Sequence, residues 1–352
     1  MLQKNNLHAS VILTYRCNAK CNMCNVYKYP SNKEEEIGPK ELEKLPQMKF
    51  TNITGGEPFV RNDIENIVAI LRKKTKRIVI STNGYFTDRI VNLCKKHPDL
   101  GIRISIEGMP KTNDAIRGIP DGFDKGLRTL LTLREMGIKD IGFGMTVQEV
   151  NAQDLIPLYS LANALGYEFA TATLHNSHYF HKYDNRIINK EKVTNEFEKL
   201  IACLLTSRSP KKWFRAYFNN GLINFIHGGS RPIPCNMGSD GFFLDPSGDI
   251  LPCNGMDRKL PMGNIKRKSF DEIWTSQNAR NIRETVKRCN KQCWMIGSAA
   301  PAMKNNMRLP ISWILKNKIF GYRGYKKTDF QQPENNTVFT SIDSAAKERT
   351  PL

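Results

Sequence analysis

The stretch Cys17-Asn-Ala-Lys-Cys21-Asn-Met-Cys24 carries three cysteines, separated by three and then by two residues. It follows the apolar run Ala9-Ser-Val-Ile-Leu-Thr14, which predicts a β-strand, so we expect the cysteines on the loop that leaves this strand. Thiolates at this density indicate a metal or iron–sulfur site. Three thiolates around a four-iron cube leave one iron without a protein ligand, and such an open position distinguishes a catalytic metal site from a structural one.

The composition sets broad limits on the class of protein. The 352 residues, 40% of them hydrophobic, suffice for two domains or for one large domain with an appendage. No apolar run could span a membrane, and the N-terminus lacks the apolar core of a signal peptide. Nine cysteines without an export signal predict a reducing compartment, so we expect a cytoplasmic protein, with the inner face of the membrane as a second possible location.

The net charge of +19 predicts a lysine-rich surface or an acidic partner. Anionic lipid, nucleic acid, a nucleotide-linked substrate and an acidic peptide all fit this charge. Nucleic acid is the least favoured, because no RNA-binding signature with interleaved aromatic residues is present.

A second motif, Gly55-Gly56-Glu57-Pro58, ends the predicted strand Lys49–Thr54. Two glycines allow the backbone to approach a ligand closely, and Pro58 stiffens the turn. Glu57 offers a carboxylate to which an ammonium group could bind. The alternative interpretation is an ordinary turn from a strand to a helix.

Six predicted strands alternate with helices, which favours a parallel sheet with right-handed crossovers. Ligands of such sheets gather at the C-terminal ends of the strands, where Ser81, Asn83, Ser105 and Glu107 lie in this sequence. Arg117, in Asp114-Ala-Ile-Arg-Gly118, could bind a carboxylate with both arms of its guanidinium or form a surface ion pair. The predicted strands are 7–15, 49–54, 77–82, 101–106, 138–147 and 167–174.

Four further cysteines, Cys235, Cys253, Cys289 and Cys293, surround a predicted β-hairpin that turns at Asp245-Pro-Ser-Gly248. Four thiolates can bind zinc or an iron–sulfur cluster. Seventeen residues separate the first two across the hairpin, which is less typical of zinc.

The triad Cys17, Cys21 and Cys24 resembles the signature of the radical S-adenosylmethionine (radical SAM) superfamily, although the position before the third cysteine, usually aromatic there, is Met23. This resemblance implies a partial (β/α)6 TIM-like barrel whose triad binds a [4Fe–4S] cluster. The open iron would take the amino and carboxylate groups of S-adenosylmethionine, whose reductive cleavage releases a 5′-deoxyadenosyl radical. It also implies that S-adenosylmethionine contacts Gly55, Gly56, Glu57, Pro58, Ser81, Asn83, Ser105, Glu107 and Arg117.

The later cysteines resemble the SPASM or twitch auxiliary-cluster domain, a small β-hairpin plus helix unit. Because no cysteine follows Cys293, the resemblance implies one auxiliary [4Fe–4S] cluster, serving electron transfer or holding the domain against the barrel. The expected organisation is a barrel over 1–182, a helical connection over 183–232, the auxiliary domain over 233–300 and a basic tail over 301–352.

The resemblance implies an enzyme that abstracts a hydrogen atom from its substrate and takes electrons from a donor such as flavodoxin or ferredoxin. An oxidation of a sugar, a cyclitol or a lipid-linked small molecule would release an electron that the auxiliary cluster could accept. Peptide or protein maturation is the alternative; such enzymes often carry an N-terminal recognition domain, whereas this sequence starts almost at strand one. A zinc-binding basic scaffold or nucleic-acid module and a radical SAM RNA-modifying enzyme also stay open.

Several residues outside these motifs carry weaker predictions. His175, His178 and His181 follow strand six, where we expect solvated loop histidines rather than a metal site. We expect Cys94 and Cys203 to be buried thiols. The segment Pro310–Phe320 alternates apolar residues with lysines, which fits a terminal helix docked on its own domain or a helix lying on anionic lipid. The last twenty residues are expected to be disordered.

Overall fold

The computed structural model describes residues 7–256 and 258–326. Its first half alternates strands with helices, in the order that the sequence predicts. The strands are β1 (His8–Ile12), β2 (Phe50–Thr54), β3 (Ile78–Thr82), β4 (Gly101–Ser105), β5 (Ile141–Val147) and β6 (Glu168–Thr173). The helices are α1 (Pro39–Leu42), α2 (Ile64–Lys74), α3 (Thr87–Lys96), α4 (Pro110–Arg117), α5 (Gly122–Glu135) and α6 (Leu155–Ala164).

All six strands are parallel and lie in sequence order, which confirms the predicted parallel α/β architecture. The helices bury one apolar face against this sheet, as α2 does with Ile64, Ile67, Val68 and Leu71. Burial of such faces supplies most of the stability that a short helix lacks by itself. The C-terminal ends of all six strands therefore meet at one rim of the sheet.

The second half of the chain begins with two long helices, α7 (Lys190–Thr206) and α8 (Pro210–Ile226). Helix α8, whose bounds we did not predict, starts at Pro210 and packs against the edge strand β6. An edge strand needs such a cover because its unpaired backbone groups would otherwise be open to other chains.

The predicted hairpin is present as β7 (Gly241–Leu244) and β8 (Asp249–Leu251), followed by the short strand β9 (Gly263–Asn264). The hairpin is not a separate sheet. Strand β7 pairs in parallel with β1, so that Val11 lies beside Leu244, and a single nine-stranded sheet runs through both halves. Helices α9 (Phe270–Thr275), α10 (Gln277–Lys287), α11 (Ile296–Asn305) and α12 (Arg308–Ile319) complete the described chain.

The two cysteines outside the motifs differ in their exposure. Cys94 is buried, as expected. Cys203 is exposed, so the prediction that it is buried was wrong. It lies on α7 beside the apolar face formed by Leu200, Ile201 and Leu204, but points to the solvent side of that helix.

Two further observations concern the membrane and the C-terminus. Within the described ranges, no helix combines the length and apolar character needed to cross a bilayer. The last twenty residues, for which the composition predicts disorder, lie outside the described residues.

Candidate active site

The cysteine loop leaves β1 and rests on the C-terminus of α4. The backbone amides of Lys20 and Asn22 donate to the carbonyls of Arg117 and Ile116 at 3.0 and 2.9 Å. Gly118 ends α4 with a φ of 60°, and a Cβ there would lie 2.9 Å from the carbonyl oxygen of Lys20. The Asp114–Gly118 segment therefore fixes the cysteine loop through its backbone.

The three thiols of the loop are half-buried and have pKa values above the ordinary value for cysteine. Burial raises the pKa of Cys17 to about 12 and that of Cys24 to about 11, and it also raises the pKa of Cys21. The amides of Ala19 and Val26 donate to the sulfurs of Cys17 and Cys24 at 3.4 and 3.5 Å. Buried thiols of this kind lose their protons when they coordinate a cationic metal centre, and amide hydrogen bonds then stabilise the thiolates. The donor set fits an iron–sulfur cluster.

The Gly55-Gly56 pair lies against the start of the cysteine loop. A Cβ on Gly55, whose φ is 155°, would lie 2.5 Å from the Thr14 carbonyl oxygen, and one on Gly56 would lie 2.3 Å from that of Arg16. The amides of Gly56 and Glu57 donate to these same two carbonyls at 2.7 and 3.0 Å. Only glycine permits this approach, so the two motifs form one structural unit.

Replacing Gly56 with alanine should displace the cysteine loop, because the new methyl group would also lie 2.9 Å from the Cβ of Cys17. We expect a loss of about 1–3 kcal/mol in the free energy of unfolding, measured by denaturant titration. The control is Gly297→Ala, where the nearest atom would lie at 3.7 Å, an ordinary contact. Equal stability of the two variants would contradict the close contact between the motifs.

The Glu57 side chain joins three segments from a completely buried position. Its carboxylate accepts hydrogen bonds from the Thr82 hydroxyl at 2.7 Å and from the amides of Asn83 and Phe59 at 2.7 and 3.1 Å. These contacts hold the motif in shape, and the binding of an ammonium group by this carboxylate stays a prediction. Pro58 begins the short 3-10 turn Pro58–Val60. The sequence analysis did not single out Thr82, which lies between the predicted residues Ser81 and Asn83.

The remaining predicted residues lie at the same rim. Asn83 is buried, and its side-chain amide donates to Asn18 in the cysteine loop at 2.7 Å. The Ser81 hydroxyl donates to the side chain of Asn52 on the adjacent strand at 3.0 Å, and Ser105 is half-buried at the end of β4. Asn83 thus links the end of β3 to the cysteine loop, whereas Ser81 links two strands.

Arg117 and Glu107 form a buried ion pair at 2.9 Å, and Glu107 also accepts from the Thr146 amide at 2.6 Å. Burial opposes the charge on Arg117, but Cys21, Glu107 and Cys17 together hold the pKa of Arg117 above its ordinary value. The Nε atom of Arg117 is buried and has no hydrogen-bond partner in the described structure. An orphaned guanidinium donor close to the cysteine loop suits a carboxylate such as that of S-adenosylmethionine.

The four later cysteines also come together. Burial raises the pKa of Cys253 to about 12, and Cys293, Cys235 and Cys289 lie close enough to raise it further. Behind them, the buried indole of Trp294 donates to the Phe218 carbonyl on α8 at 3.0 Å. Among the described residues, no three His, Cys, Asp or Glu side chains are arranged around a point that would suit a single metal ion. Thiolates that hold a cluster of several irons stand further apart than thiolates that share one ion.

A segment after β6, residues 175–185, crosses the rim between the two cysteine groups; we call it the strap. The Tyr179 hydroxyl donates to the Gly55 carbonyl at 2.6 Å. The Asn25 backbone amide donates to the Phe180 carbonyl at 2.9 Å, and the Asn185 side-chain amide donates to the Met23 backbone carbonyl at 3.1 Å. The strap therefore touches both early motifs, and its tyrosine and asparagines gave no recognisable sequence signal.

The strap histidines are partly exposed to solvent and partly packed against neighbouring groups. The ring of His175 packs on Phe180, with 4.9 Å between the centroids, and that of His181 stacks on Tyr29 at 4.5 Å. The backbone amide of His178 donates to the Met256 carbonyl in the later half of the chain. Burial lowers the pKa of all three imidazoles.

The two cysteine groups flank one small apolar cluster. Its buried members are Ile12, Val26, Tyr179, Met237, Phe243 and Leu251, and Tyr15, Cys24, Phe180, Cys235 and Cys253 pack on it. Cysteines from both groups thus pack against the same apolar cluster, because β7 lies directly beside β1.

Comparison with known families matches both cysteine groups. The model of the radical SAM superfamily matches residues 11–162, and that of an iron–sulfur cluster-binding domain, SPASM, matches residues 235–295. The chain belongs to the radical SAM superfamily. It is a radical SAM enzyme that binds S-adenosylmethionine and a [4Fe–4S] cluster, followed by a SPASM-type domain that binds auxiliary iron–sulfur. The zinc-module alternative is therefore abandoned.

Known radical SAM proteins resemble the chain at low identity. It is 34% identical over 161 residues to an Fe-coproporphyrin III synthase of Methanosarcina barkeri, a match that covers 42% of this chain and only 39% of the synthase. It is 25% identical to the pre-heme d1 synthase of Dinoroseobacter shibae, covering 75% of this chain and 72% of that one. It is also 25% identical to the sporulation killing factor maturation protein SkfB of Bacillus subtilis, in a match that covers 79% of this chain and 67% of SkfB.

Solved structures show the same fold. The chain superposes on anSMEcpe with bound AdoMet and Cp18Cys peptide with a TM-score of 0.61, at 14% identity, covering 88% of this chain and 99% of that one. It superposes on SuiB of Streptococcus suis bound to S-adenosylmethionine with a TM-score of 0.60, at 16% identity, covering 83% and 74%. These neighbours are consistent with the predicted partial barrel.

Proposed function

We propose that this radical SAM enzyme abstracts a hydrogen atom from a phosphate-bearing sugar, cyclitol or lipid-linked small molecule, leading to its oxidation or rearrangement. When bound, the cluster and S-adenosylmethionine supply a 5′-deoxyadenosyl radical for that abstraction. In this proposal Cys17, Cys21 and Cys24 hold the catalytic cluster, and Cys235, Cys253, Cys289 and Cys293 hold one auxiliary cluster. A reductant such as flavodoxin or ferredoxin is part of the same proposal.

The residues around S-adenosylmethionine have different proposed tasks. Arg117 binds the carboxylate of the methionine moiety through its unpartnered Nε. The backbone of Gly55 to Pro58 and the side chains of Ser81, Asn83 and Ser105 line the space for the cofactor. Glu57 and Glu107 position these groups from their buried sites. The strap excludes water, because Tyr179 and Asn185 close it onto both early motifs.

The observation that carries the substrate class is a cationic cavity beside the strap. It is an open hollow of about 590 Å³ on the protein surface, lined by Arg258, Arg288 and Lys291, with Glu284 as the acidic residue among its lining side chains. Cavities of this size hold small molecules, and an excess of guanidinium and ammonium groups suits phosphate oxygens.

The cavity lies beside the strap and the later cysteine group, which supports the proposal. Met256, which accepts the His178 amide of the strap, and Cys289 of the later cysteine group both line it. Lys291 lies near enough to His175 to lower the pKa of that imidazole, after the larger effect of burial. A substrate whose phosphate occupied this cavity would have its organic part beside the aromatic side chains of the strap.

Peptide maturation is the second candidate, because relatives are named for the maturation or biosynthesis of a killing factor and a bacteriocin. Besides SkfB, the chain is 24% identical to the subtilosin biosynthesis protein AlbA of Bacillus subtilis, of which it covers 60%. A peptide with acidic side chains would meet the same cations of the cavity.

The test compares substrate classes on the anaerobically reconstituted holoenzyme. Nucleoside-diphosphate sugars, inositol phosphates and synthetic acidic peptides are each mixed with S-adenosylmethionine and a chemical reductant, and 5′-deoxyadenosine is quantified. We expect release above the substrate-free background with a phosphorylated sugar or cyclitol. We expect Arg258→Gln/Arg288→Gln to raise KM about a hundredfold or more for that substrate, since each of the two lost charge-assisted hydrogen bonds costs about 1.5–3 kcal/mol.

The control is Lys95→Gln, which removes a positive charge from the exposed side of α3. Stimulation by peptides alone would replace the small-molecule proposal with the second candidate. An unchanged KM in the double arginine variant would remove the cavity from the substrate site.

A further inference from the structure

Helix α12 is apolar on two opposite sides. Pro310, Trp313 and Ile314 are buried, and the Trp313 ring packs on Tyr217 of α8 with 5.6 Å between the centroids. This buried side confirms that the helix docks on its own protein. The docking leaves the other side of the helix without a described cover.

The outward side carries a continuous apolar stripe. Ile311, Leu315 and Ile319 follow one another at intervals of four residues and are 42%, 55% and 71% exposed. Phe320, 70% exposed, and Leu309, 42% exposed, are further exposed apolar side chains at the two ends of the helix, but they do not lie in this row. Single exposed apolar residues are common on proteins, but a contiguous row marks a surface that contacts something apolar.

The segment that carries the stripe contains basic residues but no acidic ones. Residues 296–326 contain no Asp or Glu, but they contain six basic residues: Lys304, Arg308, Lys316, Lys318, Arg323 and Lys326. The Lys318 ammonium donates to the Leu205 carbonyl at 3.0 Å and lies 4.4 Å above the Trp213 ring, so the end of α12 sits at the loop between α7 and α8. Arg208, which is exposed, adds positive charge from that loop.

We propose that the α12 stripe (Ile311, Leu315 and Ile319) inserts into the headgroup region of an anionic membrane. An apolar row bordered by lysines and arginines on a helix that lies along the surface is the pattern of peripheral lipid binding. The apolar side chains enter the acyl boundary, and the cations pair with lipid phosphates. A second copy of this chain is a poorer occupant, because it would bring six like charges against six.

The proposal is tested by co-sedimentation of the full chain with vesicles. One set contains equal amounts of phosphatidylglycerol and phosphatidylcholine, and the other contains phosphatidylcholine alone. We expect binding to the anionic set, and we expect Leu315→Ser/Ile319→Ser to weaken it at least about tenfold at constant net charge. The matched control is Val150→Ser/Ile188→Ser, which removes two apolar side chains that are 57% and 78% exposed elsewhere.

Three results would overturn the proposal. The first is equal vesicle binding by the stripe variant, the control variant and the parent, which would leave only the diffuse attraction of the net charge. The second is a parent dimer in light scattering that the stripe variant converts to a monomer while vesicle binding is unchanged, which would assign the stripe to a second copy. The third is no binding of the parent to anionic vesicles, which leaves residues 327–352 or another protein as the cover. None of these results bears on the reaction proposed above.

Discussion

Replacing Cys17, Cys21 and Cys24 together with alanine is expected to abolish reductive cleavage of S-adenosylmethionine. The iron content of the anaerobically reconstituted protein should fall from about eight to about four atoms per chain, on the stoichiometry of two four-iron cubes. The physical reason is that these buried thiols are the donors of the loop beside Gly56, and alanine supplies no ligand. Iron and sulfide analysis, electron paramagnetic resonance and 5′-deoxyadenosine quantification measure the change.

Two control variants make this experiment specific. Alanine at Cys235, Cys253, Cys289 and Cys293 should also remove about four irons but retain the signal of the cluster that binds S-adenosylmethionine. Cys203→Ser should change neither, because this thiol is exposed on α7. If the triple variant kept all of its iron, the assignment of the catalytic cluster to the first triad would be wrong. If the four-cysteine variant kept all of its iron, the auxiliary assignment would be wrong.

Replacing Arg117 with methionine is expected to affect stability and cofactor binding at once. Loss of the guanidinium leaves the Glu107 carboxylate buried without its ion-pair partner, which typically costs about 3–5 kcal/mol in the free energy of unfolding. We also expect weaker binding of S-adenosylmethionine by roughly ten- to a hundredfold, since a hydrogen bond to a charged group contributes about 1.5–3 kcal/mol. Denaturant titration and equilibrium dialysis against the cofactor measure the two effects.

The double variant Arg117→Met/Glu107→Gln separates these roles. Glutamine removes the unpaired charge and can still accept from the Thr146 amide, so stability should recover substantially. Affinity for S-adenosylmethionine should stay low, because the orphaned Nε donor is still missing. Recovery of both properties would show that Arg117 serves only as the partner of Glu107, and the proposed carboxylate site would then be abandoned.

The sequence predicted the first half of the fold because its signals are local. Strands β1 to β6 are short β-branched runs bounded by turn residues, and each lies within a few residues of its predicted range. The cysteine spacing and the Gly-Gly pair are equally local, since a loop between adjacent elements needs fixed residues at fixed separations. The hairpin at Asp245-Pro-Ser-Gly248 was predicted from its turn in the same way.

The fate of individual side chains was harder to predict. Glu57 and Glu107 looked like ligands for a charged cofactor, yet both carboxylates are buried and hydrogen-bonded to segments remote in sequence. His175 and His181 looked like solvated loop residues, yet aromatic rings pack against them and leave them only partly exposed. The residues that contact these side chains come from other strands and loops, and the sequence pattern around each side chain does not show which residues they are.

The sequence by itself thus determined the alternation of strands and helices, the two cysteine groups and the radical SAM assignment. Only the tertiary structure decided that β7 joins β1, that the strap closes onto both early motifs and that α12 keeps an exposed apolar stripe. The physical reason is the range of the interactions. Local spacing fixes turns and ligand sets, whereas burial depends on which surfaces meet after the chain has folded, and α12, apolar on both sides, could have buried either one.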